Sequence, residues 1–424
     1  MVESRSQAAR LRGDPGYMTR RPPRAPLAAL AVLLCLPAAA AAQNGEWPSL
    51  PDPPGANDAG FRLSEPRVAP LPEAEWTAAQ RDLAATYAAA GDAGNAFATM
   101  LHAPELADVV HPFLDYTARR STLPDRHRKL LILRTAWVAQ NAYLWADHAS
   151  DAASAGFTAA ELRRIAVGPR AGGWTPFEAL LLGLVDQMYR DSAVTNATWA
   201  ALAGEYDLLN MMDAVFTVAE YTAFSMLYNS LGVQPDADSP ERLPADVPYR
   251  LETPDREPAL TSPRVDPADG DGARARRTVA RHPRASEAWS SNTEYVNRRS
   301  PLTPADRELL ILRIGWNCQA EYEWAKHVGE VGRARDHGLV PRWIAEGPES
   351  PRWEPYQVAL LQAADELYRH AIVSDETWSA LSEYYDTHRL ISIVMTVSTY
   401  RFVSVMLNAF GVQLLPDDEG FPDL

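Results

Sequence analysis

At 424 residues, with 46% apolar and 22% charged side chains, the chain has a globular balance and length for two cores, which excludes a disordered or fibrous polymer. A net charge of −15 excludes a nucleic-acid partner, because phosphate backbones demand clustered cations.

The first 42 residues differ in kind from the rest. Arg20, Arg21 and Arg24 precede an apolar run from Leu27 to Leu36, followed by Pro37 and small residues up to Ala42. This order reads as a secretory signal peptide cleaved near Ala42, which places the mature protein in the periplasm or outside the cell. The run is about ten residues long, against roughly 20 for a spanning helix, so no permanent membrane anchor is expected. The two cysteines are Cys35 in the leader and Cys318, so the mature chain cannot form an internal disulfide.

Residues 43–94 read as a Pro-rich N-terminal segment and a lead-in helix. A repeat then begins. Leu-Leu-Ile-Leu-Arg at 130 to 134 recurs at 309 to 313. The same register of 179 residues relates Trp137 to Trp316, Tyr143 to Tyr322, Trp145 to Trp324, His148 to His327, Gly168 to Gly347 and Asn229 to Asn408. Between the His and the Gly the copies slip by three residues and recover, the mark of a loop of changed length. Agreement over this span reads as internal duplication. It predicts a first domain at 95–235, a Pro/Asp-rich linker at 236–274, a second domain at 275–415 and a tail at 416–424. Pro66-Arg67-Val68 before the first domain is echoed by Pro263-Arg264-Val265 before the second.

Inside each domain the apolar residues recur at three and four, as in Leu309, Leu312 and Trp316, and long alternating patterns are absent. Thr303 or Asp306 can cap the helix carrying Glu308, and Ser374 or Asp375 the one carrying Trp378. The fold class is therefore all-α. Two similar domains in one chain pack most simply about a pseudo-twofold axis, as an internal pseudo-dimer. The candidate partners are the helices from Trp199 to Tyr228 and Trp378 to Leu407, or those bearing Tyr143 and Tyr322. Further homo-oligomerisation is left open.

The run PADRELLILRIGWNCQAEYEWAKH, residues 304–327, resembles the carboxymuconolactone decarboxylase and alkylhydroperoxidase D (AhpD-like) superfamily, and its copy ending at His148 is similar. The resemblance implies two tandem AhpD-like helical domains. In the peroxidase branch a Glu is followed by Cys, Cys and His. Here Glu308 and His327 match the Glu and His, but Ala320 and Glu323 stand at the thiol positions. The first domain has Lys129, Asn141, Leu144 and His148 instead, and so reads as degenerate. Without the thiol pair, reduction of a peroxide with resolution as a disulfide is not expected.

The decarboxylase branch implies a cofactor-independent enzyme that moves protons on a small organic acid, with decarboxylation, isomerisation or lactone chemistry as outcomes. Glu323 and His327 lie four apart on one helix face, and Glu308 comes from the preceding helix. These three are the predicted catalytic groups. Arg313, Tyr322 and Trp324 are the predicted substrate-binding residues. No cofactor is expected. A metal on Glu308, Glu323 and His327 is not expected either, because the Glu-x-x-His spacing of helical di-metal sites is missing.

Each assignment has a structural alternative. His327 has its counterpart His148 in a domain lacking both glutamates, so a structural histidine fits equally well. Arg313 can anchor a carboxylate of the fold, and Tyr322 and Trp324 suit a core. A non-catalytic binding or assembly protein is the rival reading, and a peroxidase acting through Cys318 a third.

Overall fold

The computed structural model describes residues 62–424 apart from Gly91, Asp92 and Glu252. The expected signal peptide and the Pro-rich segment as far as Phe61 lie outside the described residues. Among the described residues every regular element is helical, and all fall in one compact unit.

The first half contains α1 (Ala78–Ala90), α2 (Asn95–Met100), α3 (Pro104–Asp115), α4 (Asp125–Val138), α5 (Ala142–Ser150), α6 (Ala159–Val167), α7 (Pro176–Asp191), α8 (Asn196–Leu202) and α9 (Leu208–Leu231). The second contains α10 (Arg274–Val279), α11 (Pro283–Glu294), α12 (Pro304–Asn317), α13 (Glu321–Val328), α14 (Pro341–Glu346), α15 (Pro355–His370), α16 (Asp375–Ser382) and α17 (Thr387–Phe410). From α2 onward each helix of the first half has a partner starting 179 residues later, except that α14 is displaced by three. A single π turn follows both α3 and α11, at Tyr116–Arg120 and Tyr295–Arg299.

Local chemistry sets these boundaries. Thr303 accepts from Asp306 N with Pro304 in the first turn of α12, and Ser374 accepts from Thr377 N at the start of α16. The two long helices stop at Gly232 and Gly411, both left-handed. Glycine is needed there for a second reason. The Arg67 and Val68 amides bond Leu231 O, and those of Arg264 and Val265 bond Phe410 O, so each repeated Pro-Arg-Val closes the end of a long helix. A β-carbon on Gly232 would stand 2.7 Å from Arg67 N.

The core lies where α9 packs against α17. Helix α17 is long and apolar enough to cross a membrane, but that stretch is wholly buried in the protein, as befits a core helix. Phe216 and Phe402 stack at 6.2 Å, and Phe410 meets Phe216 edge-on at 5.6 Å. The polar contacts between the halves are reciprocal. Asn229 Nδ2 donates to Ala139 O and to Ala371 O, at 2.8 and 3.2 Å, while Asn408 Nδ2 donates to Cys318 O and Ser192 O, at 2.9 and 3.0 Å. Exchanged contacts of this kind are what a twofold relation produces.

Arg401 sits where the two halves meet. Its guanidinium donates to Tyr189 O and Tyr368 O, both at 2.6 Å, and lies 5.1 Å from each of those rings. Both carbonyls belong to the last turns of α7 and α15, whose negative dipole ends compensate the buried charge.

The linker is an ordered strap. Tyr249 donates to Val138 O at 2.8 Å, Arg256 reaches Cys318 O, and Arg264 stacks 5.3 Å from Trp199 in the opposite half. Arg67 stacks in the same way on Trp378, at 4.8 Å.

Candidate functional site

In the second half the three expected carboxylate and imidazole groups converge. Helix α12 supplies Glu308, and α13 supplies Glu323 and His327. His327 Nδ1 lies 2.6 Å from Glu308 Oε2, and Nε2 lies 2.8 Å from Glu323 Oε1. Arg307 donates to the other oxygen of Glu308 at 3.3 Å, and the Tyr400 ring meets the imidazole edge-on at 4.9 Å. Burial pushes the His327 imidazole down, but the bonds to Glu308 and Glu323 outweigh it and raise it to about 9. Burial pushes Glu308 up, and His327 and Arg307 together bring it below its ordinary value. The histidine is thus a buried cation with a carboxylate on each nitrogen.

This cluster is closed. The segment between α13 and the turn at Ala334–His337 is three residues longer than its counterpart in the first half, which is the slip seen in the sequence. Gly332 in that insert packs on Glu308 and on the His327 backbone, and all three site residues are buried. Neither imidazole nitrogen faces a space that a substrate could enter.

The predicted binding residues serve the fold. Arg313 Nε and Nη2 donate to Asp365 Oδ1 and Oδ2 at 2.6 and 2.8 Å, and Nη1 donates to Ile344 O and Ala345 O. Arg134 treats Asp186, Ile165 O and Ala166 O in the same way. The repeated glycines are required here, since a β-carbon on Gly168 or Gly347 would stand 2.7 or 2.8 Å from these guanidinium groups. With its donors consumed inside the protein, Arg313 is not placed to hold a substrate. Trp324 packs between Trp316 and Phe421, and the Tyr322 hydroxyl accepts from Ala275 N at 3.3 Å, so both are packing residues too. Cys318 is fully buried, which pushes its thiol up and opposes a nucleophilic thiolate.

The first half presents the complementary picture. A cavity of about 300 Å³ opens between α2, α3, α4, α5 and α9, lined by Lys129, His148, Asp151, Tyr143, Tyr221 and Leu144 among others. That volume is at the lower end of small-molecule sites. Lys129 Nζ lies 3.2 Å from His148 Nδ1 and 2.5 Å from Asp151 Oδ1. An ammonium can only donate, so Nδ1 is the accepting nitrogen and the ring hydrogen sits on Nε2, 3.6 Å from Asp147 Oδ2. Burial, then the positive charges of Lys129, Arg119 and Arg128, hold His148 well below its ordinary range. The Tyr221 ring meets this imidazole at 5.0 Å, as Tyr400 meets His327.

Residues 104–186 match the Carboxymuconolactone decarboxylase family. The matched segment runs from the start of α3 into α7 and holds Lys129, Arg134 and His148. No curated protein and no solved structure matched the chain. The carboxymuconolactone decarboxylase match therefore falls on the half that carries the cavity, although that half has Lys129 and Leu144 where the second has Glu308 and Glu323. Sequence reasoning passed over Lys129 as a lost glutamate. The signal for the cavity was the shorter loop after His148, visible as the three-residue slip.

Proposed function

We propose that this is an exported, cofactor-independent enzyme of carboxymuconolactone decarboxylase type, moving a proton on a small organic acid in the cavity of the first half. The cavity beside a neutral His148 and a cationic Lys129 is the observation that carries this reading. A neutral imidazole can take a proton from a carbon next to a carbonyl and return it at another position. Lys129, 3.2 Å away, supplies positive charge where negative charge develops on the substrate oxygen. The second half would then act as structural support, the two halves forming an internal pseudo-dimer. Its Glu308–His327–Glu323 cluster would be an ion triad of the fold.

The convergence of those three groups favours a second reading, in which His327 is the catalytic base once the Gly332 segment moves aside. One experiment separates the two. Mature protein starting at Gln43 is incubated in D₂O with a panel of lactones and unsaturated acids, and deuterium uptake into the substrate is followed by NMR. His148→Ala abolishing uptake while His327→Ala retains it supports the first-half site; the reverse result moves the activity to the second. Binding without turnover in every case would leave the protein as a non-catalytic carrier. Export is tested by N-terminal sequencing of secreted material, which should begin at Gln43.

A further inference from the structure

We propose that Asp151 occupies the anion subsite of the first-half cavity and that a ligand carboxylate displaces it from Lys129. This rests on the cavity being the ligand site. The pair is unequal in burial: the Lys129 side chain is 13% exposed and that of Asp151 is 64% exposed. Water therefore solvates Asp151 at little cost when it leaves, whereas Lys129 without an anion is a largely buried charge with no carboxylate partner. The backbone need not move. Asp151 O is held by Ser154 N at 2.9 Å and by Ser154 Oγ at 2.6 Å, so rotation of the side chain alone vacates the subsite. His148 stays beside the vacated position.

The rest of the cavity defines the ligand. Phe97, Tyr143, Leu144, Tyr221 and Tyr228 give it apolar and aromatic walls, which suit a small monocarboxylate with a flat or unsaturated body. The second half has no such subsite. Glu308 stands in place of Lys129, and Glu330, the counterpart of Asp151, is held by Lys326 at 3.1 Å.

An internal competitor lowers apparent affinity by the fraction of molecules in which it blocks the site. The test is calorimetric titration of the mature protein with benzoate and with its neutral analogue benzamide. Expected are benzoate binding with no benzamide binding, tightening of benzoate by about tenfold in Asp151→Asn, loss in Lys129→Met and recovery in Lys129→Arg. A surface ion pair without this role would give Asp151→Asn an unchanged affinity, and that result overturns the displacement while leaving the cavity reading in place. Equal binding of benzoate and benzamide overturns the carboxylate subsite but not the cavity. If benzoate binds equally well to Lys129→Met with an unchanged circular dichroism spectrum, its site is elsewhere and both readings fall.

Discussion

Gly332 packs so closely on Glu308 that a β-carbon at position 332 would stand 2.1 Å from the carboxylate oxygen Oε2. The insert that distinguishes the two halves is thus fitted to the ion triad beneath it. Gly332→Ala should push the insert or Glu308 out of place and destabilise the protein by about 1–3 kcal/mol, the usual cost of overpacking. Urea denaturation measures it. An unchanged midpoint would mean that the insert yields freely and that the triad is not sealed.

The triad also sets a pH dependence. His327 is raised from its ordinary 6.5 to about 9, so the protonated form is favoured by folding. Its contribution is fully present below pH 6.5 and is lost as pH rises through 9, with an amplitude of about 3 kcal/mol. Unfolding free energies at pH 6.5, 8 and 9.5 should fall along this course. His327→Gln should be less stable at pH 6.5, because two buried carboxylates lose their cation, and should show little slope between pH 8 and 9.5. A wild-type profile without that slope would contradict the ion triad.

The all-helical class is legible in the sequence because apolar residues at three and four leave one solution for segments such as 309–316. The 179-residue register is legible because buried groups with fixed partners tolerate little change: Arg134 and Arg313 need their aspartates, and Gly168 and Gly347 need room against those guanidinium groups. Convergence of Glu308, Glu323 and His327 is legible from helix spacing. Their enclosure is not. It depends on the path of a three-residue insert, and path is not written in residue type. The cavity was hidden for the opposite reason, since judging the first half by the groups it lacks obscured the Lys129–His148 pair it has. Nor does the sequence mark Arg401 as a residue of the junction, because its counterpart at the same register is Thr222 and no repeat draws attention to it.

Arg401 offers the most direct measure of the junction between the halves. It bonds Tyr189 O in one half and Tyr368 O in the other, and both carbonyls lie in helix C-terminal turns. Arg401→Met keeps much of the volume but removes the donors, leaving buried acceptors unsatisfied. A loss of about 2–4 kcal/mol is expected, measured as a lower urea midpoint with a single transition retained. A change below 0.5 kcal/mol would show that the helix ends need no cation.

Residues 275–415 expressed alone test how far the second half depends on the first. Helix α17 would lose the cover of α9, exposing Phe402 and Phe410, which meet Phe216 in the intact chain. The Trp378 ring would lose Arg67, and Arg401 would lose Tyr189 O. Self-association could cover the apolar face, but it would bring two copies of Arg401 to the place where the intact chain has Arg401 and Thr222, setting two buried cations against each other for the same carbonyls. The isolated half should therefore be insoluble, or soluble only as a loosely packed species that binds a hydrophobic dye and unfolds without a sharp transition. Arg401→Thr in the isolated half should relieve the conflict and increase the dimeric fraction in light scattering. A soluble monomer with a cooperative unfolding transition would show instead that the second half is an independent domain and that the α9–α17 contact is not needed for its folding.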